Sequence, residues 1–72
     1  MPKLKKISGE DCIKILCNKF GFKAVRQRRS HVVLKKGSVG TCVPKHRELK
    51  LGTLKSILAL AKIEEEEFSR YL

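Results

Sequence analysis

Three arginines, an amide, a hydroxyl and an imidazole fall within six consecutive residues, Arg26-Gln27-Arg28-Arg29-Ser30-His31. That set can bind a phosphodiester and move a proton beside it. Breaking an RNA strand without a metal needs a base for the 2′-hydroxyl proton, cations for the charged phosphorane and an acid for the leaving oxygen. His31 is the candidate base, because an ordinary imidazole titrates near pH ~6.5; an ordinary solvated strand histidine is the other reading that the residues alone leave open. Arg26, Arg28, Arg29, Ser30 and Lys35 are the candidate phosphate contacts. Nearby carboxylates are scarce, so the arginines have few ion-pair partners in sequence. His46 is the second imidazole; acid, RNA contact and ordering of its own segment remain open for it. Gln27 is open between a base contact and a turn residue.

The elements around this stretch read as scaffold. Phe22, Ala24 and Val25 precede it and Val32, Val33 and Leu34 follow it, which predicts two short strands joined by a tight turn at Arg28–Ser30. The first strand is expected over Lys23–Arg28, with imperfect alternation. The second is expected over His31–Lys36, with Val32 and Leu34 toward the core and His31, Val33 and Lys35 on the other face. A turn at Lys36-Gly37-Ser38 leads to a third strand, Val39–Val43, which Pro44 should end. Upstream, Ser8 reads as a helix N-cap with Asp11 three residues on. Ile13, Leu16, Cys17 and Phe20 then form one helical face, and Gly21 should stop the helix with Phe22 folding back. Downstream, a polar connection from Lys45 to Leu51 precedes a second helix. Thr53 is its expected N-cap and Leu54, Ile57, Leu58 and Ala61 its apolar stripe. Glu64 to Leu72 reads as a further short helix or turn, with Phe68, Tyr71 and Leu72 packing back. The order helix, three antiparallel strands, helix, with both helices on one sheet face, is an α+β architecture.

A chain of 72 residues with a net charge of +10 is expected to be one domain, residues 1–72, with a polyanion as its partner. Residues 1–50 hold 14 of the 17 Lys and Arg and, of the acids, only Glu10, Asp11 and Glu48, a local charge of +11. Nucleic acid fits this field better than an anionic membrane, since no basic helix rich in bulky apolar residues occurs. The basic start, Met1 to Lys6, is not followed by the apolar run of a secretory signal, and no stretch is long enough to span a bilayer. Cys12, Cys17 and Cys42 are odd in number and contain no C-x-x-C pair. Reduced thiols in a cytosolic protein are the plain reading. No metal or other cofactor is expected. The cysteines and histidines match no common zinc spacing, and Glu64–Glu67 reads as a solvated helix start rather than a metal cluster.

Gly21-Phe22, Arg26-Gln27, Ser30-His31, Val43-Pro44, His46, Glu48-Leu49, Gly52-Thr53-Leu54 and Ile57-Leu58 occur in this order. Together they resemble the HicA toxins, or YcfA family, of bacterial and archaeal toxin–antitoxin systems, over Ile7 to Phe68. The resemblance implies a fold like a double-stranded-RNA-binding domain, α-β-β-β-α, and the activity of an mRNA interferase, a small ribonuclease. It implies His31 as the catalytic residue, because the family's histidine follows a Gly-Ser pair. It implies a HicB-type antitoxin protein as partner, covering the active site of a toxin that is monomeric when free. One position departs from the pattern: Arg29 stands where the family usually has glycine. Either the turn differs, or it is strained, or Arg29 adds a phosphate contact.

Two rival readings use the same charge. One is a non-catalytic RNA-binding module of the same fold. The other is an interaction subunit whose basic face docks an acidic partner. Turnover separates the first from an enzyme, and indifference to RNA favours the second.

Overall fold

The computed structural model describes residues 4–72; Met1 to Lys3 of the basic start lie outside the described residues. The elements follow the order α1 (Gly9–Lys19), β1 (Lys23–Arg28), β2 (His31–Lys36), β3 (Val39–Pro44), α2 (Leu51–Ala61) and α3 (Glu65–Ser69). The strands form one antiparallel sheet in the order β1-β2-β3. This is the expected helix, three-strand, helix arrangement, with α3 as a short addition.

Local chemistry sets the ends of α1. The Ser8 hydroxyl accepts the Asp11 N–H at 3.0 Å, which satisfies one of the donors that a helix start leaves free. Gly21 stops the helix at φ +76°, a conformation that disfavours any residue with a Cβ. The Phe22 N–H then returns to the Leu16 carbonyl at 3.1 Å, and the Phe22 ring is buried. Cys12 and Leu16 are the fully buried side chains of α1, with Ile13, Ile15, Cys17 and Phe20 packed around them. The stripe read from the sequence therefore lies one position off the true centre of the face.

The core sits between the helices and one face of the sheet. Val32, Leu34 and Val43 meet Leu54, Ile57, Leu58 and Ala61 of α2 and Phe68 of α3. Thr41 is also on this side, and its hydroxyl donates to the Ile57 carbonyl at 2.9 Å. That bond satisfies a buried polar group and ties β3 to α2. Both helices pack chiefly on β3, so β1, at the far edge, is exposed along its length.

Two boundaries and the burial of one side chain differ from the sequence reading. The N-cap of α2 is Lys50, not Thr53, and no side chain caps it. Gly52 and Thr53 lie inside the first turn, where the helix N–H groups have no intrahelical acceptor, so a glycine there breaks no helical bond. β3 runs through Pro44 rather than ending before it, because an edge strand tolerates a residue with no donor. Tyr71 remains about half exposed, although its ring meets Phe20 edge-on with centroids 5.5 Å apart. The irregular alternation of β1 has a physical source as well. The register shifts between Ala24 and Arg26, which leaves Val25 as a bulge, more than half exposed.

The connection after β3 is the tightest joint. A Cβ on Gly9 would fall on the carbonyl oxygen of Pro44. The Gly9 N–H donates to the His46 carbonyl at 2.9 Å, and the Leu49 N–H donates to the Ile7 carbonyl at 2.7 Å. Leu49, read as part of a polar connection, is buried in the core.

Two outcomes follow. Gly9→Ala should destabilise by about 1–3 kcal/mol, because backbone on both sides of the contact must move apart; chemical denaturation measures it. Burial also pushes the Cys12 thiol up from 9.0 to about 12. Above pH about 9 the unfolded chain ionises this thiol while the folded chain keeps it neutral. Folding stability should therefore decline as pH rises through that window, by at most about 1.4 kcal/mol per pH unit. Cys12→Ala should lose this part of the alkaline slope in parallel denaturation curves.

Candidate functional site

The helices cover one face of the sheet, and the register dictates what the other face displays. β1 pairs with β2 as Arg28 opposite His31, Arg26 opposite Val33 and Lys23 opposite Lys35. β2 pairs with β3 as His31 opposite Pro44, Val33 opposite Cys42 and Lys35 opposite Gly40. Directly opposed residues share a face. The open face is thus a grid of three columns. On β1 stand Lys23, Arg26 and Arg28, all cationic. On β2 stand His31, Val33 and Lys35. On β3 stand Gly40 and Cys42, small or apolar, and Pro44 at the end of the column is buried. The grid contains no acidic residue.

At one end of this grid is a shallow hollow of about 520 Å³, lined by Arg28, Arg29, His31, Val33 and Cys42. Of the residues singled out in the sequence, Arg28, Arg29 and His31 therefore come together. Arg26 and Lys35 share their face, Arg26 opposite Val33 and Lys35 two residues along β2 from it. Ser30 is in the turn itself, and its carbonyl accepts the Lys45 N–H at 2.6 Å. His46 lines a separate hollow of about 250 Å³ with Ser8, Glu10, Lys45 and Arg47. The two hollows share no residue. Gln27 pairs with Val32, so it belongs to the opposite face. Its side-chain amide donates to the Arg29 carbonyl at 3.5 Å, a long contact that favours the turn role over a base contact.

The turn carrying Arg29 has a definite backbone. Arg28 pairs with His31, which leaves a two-residue loop, Arg29-Ser30. Arg29 has φ +51°. The second hairpin repeats the design with a two-residue loop, Gly37-Ser38, in which Gly37 has φ +60°. A positive φ at the first loop residue favours glycine at that position. The turn geometry is therefore the glycine-preferring one, and arginine occupies it. Of the alternatives open in the sequence, a different turn type is the one set aside.

The sequence reading missed Cys42 as part of the site. The signal was available, since a two-residue turn at Gly37-Ser38 pairs Lys36 with Val39 and so carries Cys42 opposite Val33. Cys42 is a free, half-buried thiol; Cys12 is buried and Cys17 half-buried on the other side of the sheet. Among the described residues no three His, Cys, Asp or Glu side chains group as a metal site, and no helix is long and apolar enough to cross a membrane.

Fold and face define a small α+β protein with one uncovered, cationic sheet surface around a histidine. A sequence model of the family described as HicA toxin of bacterial toxin-antitoxin matches residues 9–63. The chain belongs to that family, which gives it the toxin role in a toxin–antitoxin pair. No curated protein and no solved structure matches it.

Arg29→Gly separates the two remaining meanings of this side chain. A non-glycine residue in the left-handed region costs roughly 1–2 kcal/mol, and the entropy of an unfolded glycine offsets about half of that. The variant should be as stable as the parent or more stable by up to about 1 kcal/mol. If Arg29 holds a phosphate, its affinity for RNA should also fall, and the salt slope should shrink by about 1. Thermal unfolding and a salt titration of RNA binding measure the two effects.

Proposed function

We propose that the chain is a metal-independent endoribonuclease that cuts mRNA on the open face of its sheet, with His31 as general base. The observation that carries this reading is the placement of His31: exposed, on the helix-free face, in one shallow hollow with Arg28 and Arg29. Membership in the toxin family supports it.

In the reaction, neutral His31 takes the proton from a 2′-hydroxyl. The freed oxygen attacks the adjacent phosphorus, and the bond from phosphorus to the 5′-oxygen breaks. The products are a 2′,3′-cyclic phosphate and a 5′-hydroxyl. The leaving oxygen takes its proton from solvent, and protonated His31 returns its own. Arg28 and Arg29 stabilise the extra negative charge on the phosphorane. Arg26, Lys23 and Lys35 hold flanking phosphates. His46 is assigned an RNA contact rather than the acid, since it lines a hollow with Lys45 and Arg47 and not the one with His31. The toxin acts as a monomer, and a HicB-type antitoxin silences it by covering the same face, which offers an acidic partner the same field as RNA.

The alternative of a non-catalytic RNA-binding module rests on the same cations and is decided by one variant. His31 is solvent-exposed, so His31→Ala should change stability by no more than ~0.5 kcal/mol. Loss of a general base typically removes ~100- to 10,000-fold of the rate. The variant should unfold near the parent temperature, bind a long unstructured RNA almost normally and fail to cut it. EDTA should leave the parent rate unchanged. Cleavage by His31→Ala at the parent rate would leave the binding module as the better reading.

A further inference from the structure

The open face is divided lengthwise, and the division has a consequence for what it binds. The β1 column offers only cations, and the β3 column offers only Gly40 and Cys42, since Pro44 is buried. Between them Val33 and Cys42 stand directly opposite each other, both half-buried, and form an apolar floor to the hollow beside His31. The floor stays low at its far end because Gly40 has no side chain; one added there would stand against Lys35 without a clash. Same-face residues of a strand repeat about every 7 Å, so the β1 cations form a track for an extended, unpaired backbone.

We infer that Val33 and Cys42 form a seat for one unpaired nucleobase of an RNA strand that runs along β1, with its phosphates on Arg28, Arg26 and Lys23. The inference rests on the reading of this face as the RNA site and adds to it a base-contacting, specificity-determining subsite. Charge complementarity commits the face to a polyanion. The apolar floor commits it to a polyanion with flat, poorly hydrated faces to bury. A duplex hides its base faces in the stack and presents phosphates and sugar edges instead, so the seat selects single strands. Neither group supplies a ring, so the seat recognises a base by covering it rather than by aromatic stacking. It orients the adjoining ribose toward His31 and takes no part in proton transfer.

The test uses His31→Ala protein, which holds RNA without turning it over, and compares a short oligouridylate with an abasic ribose–phosphate chain of the same length. The oligouridylate should bind about five- to tenfold more tightly, the worth of burying a modest apolar area. Adding Val33→Ser or Cys42→Ser should erase most of that preference and leave the affinity for the abasic chain unchanged. Adding Cys42→Phe supplies a ring, and should tighten the oligouridylate and not the abasic chain. That gain cannot arise from a folding defect. Equal binding of the two chains by the protein with its seat intact would overturn the seat while the RNA reading stands. Binding of neither chain would remove both, and would point to an acidic protein as the occupant of the face.

Discussion

The geometry of the site depends on backbone groups meeting backbone groups at the end of β3. Residues 45–49 donate or accept three short hydrogen bonds that leave the sheet ladder: Lys45 N–H to Ser30, Gly9 N–H to His46, and Leu49 N–H to Ile7. One end of this series holds the tip of the first hairpin. The other holds the segment that leads into α1. Gly9 allows the closeness, since a Cβ there would occupy the position of the Pro44 carbonyl oxygen. Pro44 in turn pairs with His31. The residue with the candidate chemistry is therefore braced from behind by the start of a helix far from it in sequence. Its imidazole stays exposed while its backbone does not move freely. A site needs that combination, because an exposed group on a loose loop loses the orientation that catalysis requires.

The same packing explains why one face is open. In a chain this short the helices have apolar surface for one side of the sheet only. They spend it mainly on β3, where Thr41 is anchored to Ile57 and Val43 is fully buried. β1 receives almost none of it, and so carries cations, an exposed valine bulge and no buried side chain. Like charges gathered on one unshielded strand repel, and the tightness of the rest of the fold must offset that repulsion. A bound polyanion removes it. The strand least supported by the core is thus the one with most to gain from a ligand. Its bulge and charges also guard the free edge against pairing with another chain.

Much of this was legible in the sequence where one side chain decides the backbone. Ser8 capping α1, Gly21 stopping it, Val32 and Leu34 turned inward and the stripe of α2 are each local rules with one outcome. What escaped was tertiary. Leu49 sits among charged residues in sequence, yet its side chain is in the core and its N–H donates to the Ile7 carbonyl. Lys50 begins α2 without a capping side chain, a choice that the packing of Leu54 and Ile57 makes and that local propensity does not. Lys62 takes a left-handed φ of +60° to end α2, where glycine is the usual signal. In the site, the turn and His31 were visible from residue types. Cys42 was visible only by carrying the register across a second hairpin.

Arg29 is the point at which these two kinds of information conflict. The chain shows at Gly37-Ser38 what this turn takes when nothing else is asked of it: glycine, then serine. At Arg29-Ser30 it keeps the serine and the positive φ and gives up the glycine. Nothing in the packing requires this, for Arg29 is exposed and its nearest described polar contact is the long one from Gln27 to its carbonyl. The substitution strains the backbone and adds no buried contact within the fold. The side chain reaches from the turn into the hollow that holds His31. A phosphate there would gain a planar, bidentate donor beside the one that Arg28 offers. The strain, about 1–2 kcal/mol, is of the size that a single charge-assisted hydrogen bond, worth about 1.5–3 kcal/mol, can recover. On the proposed reading of this face the strain belongs to the free chain, and a phosphate held by Arg29 would offset it.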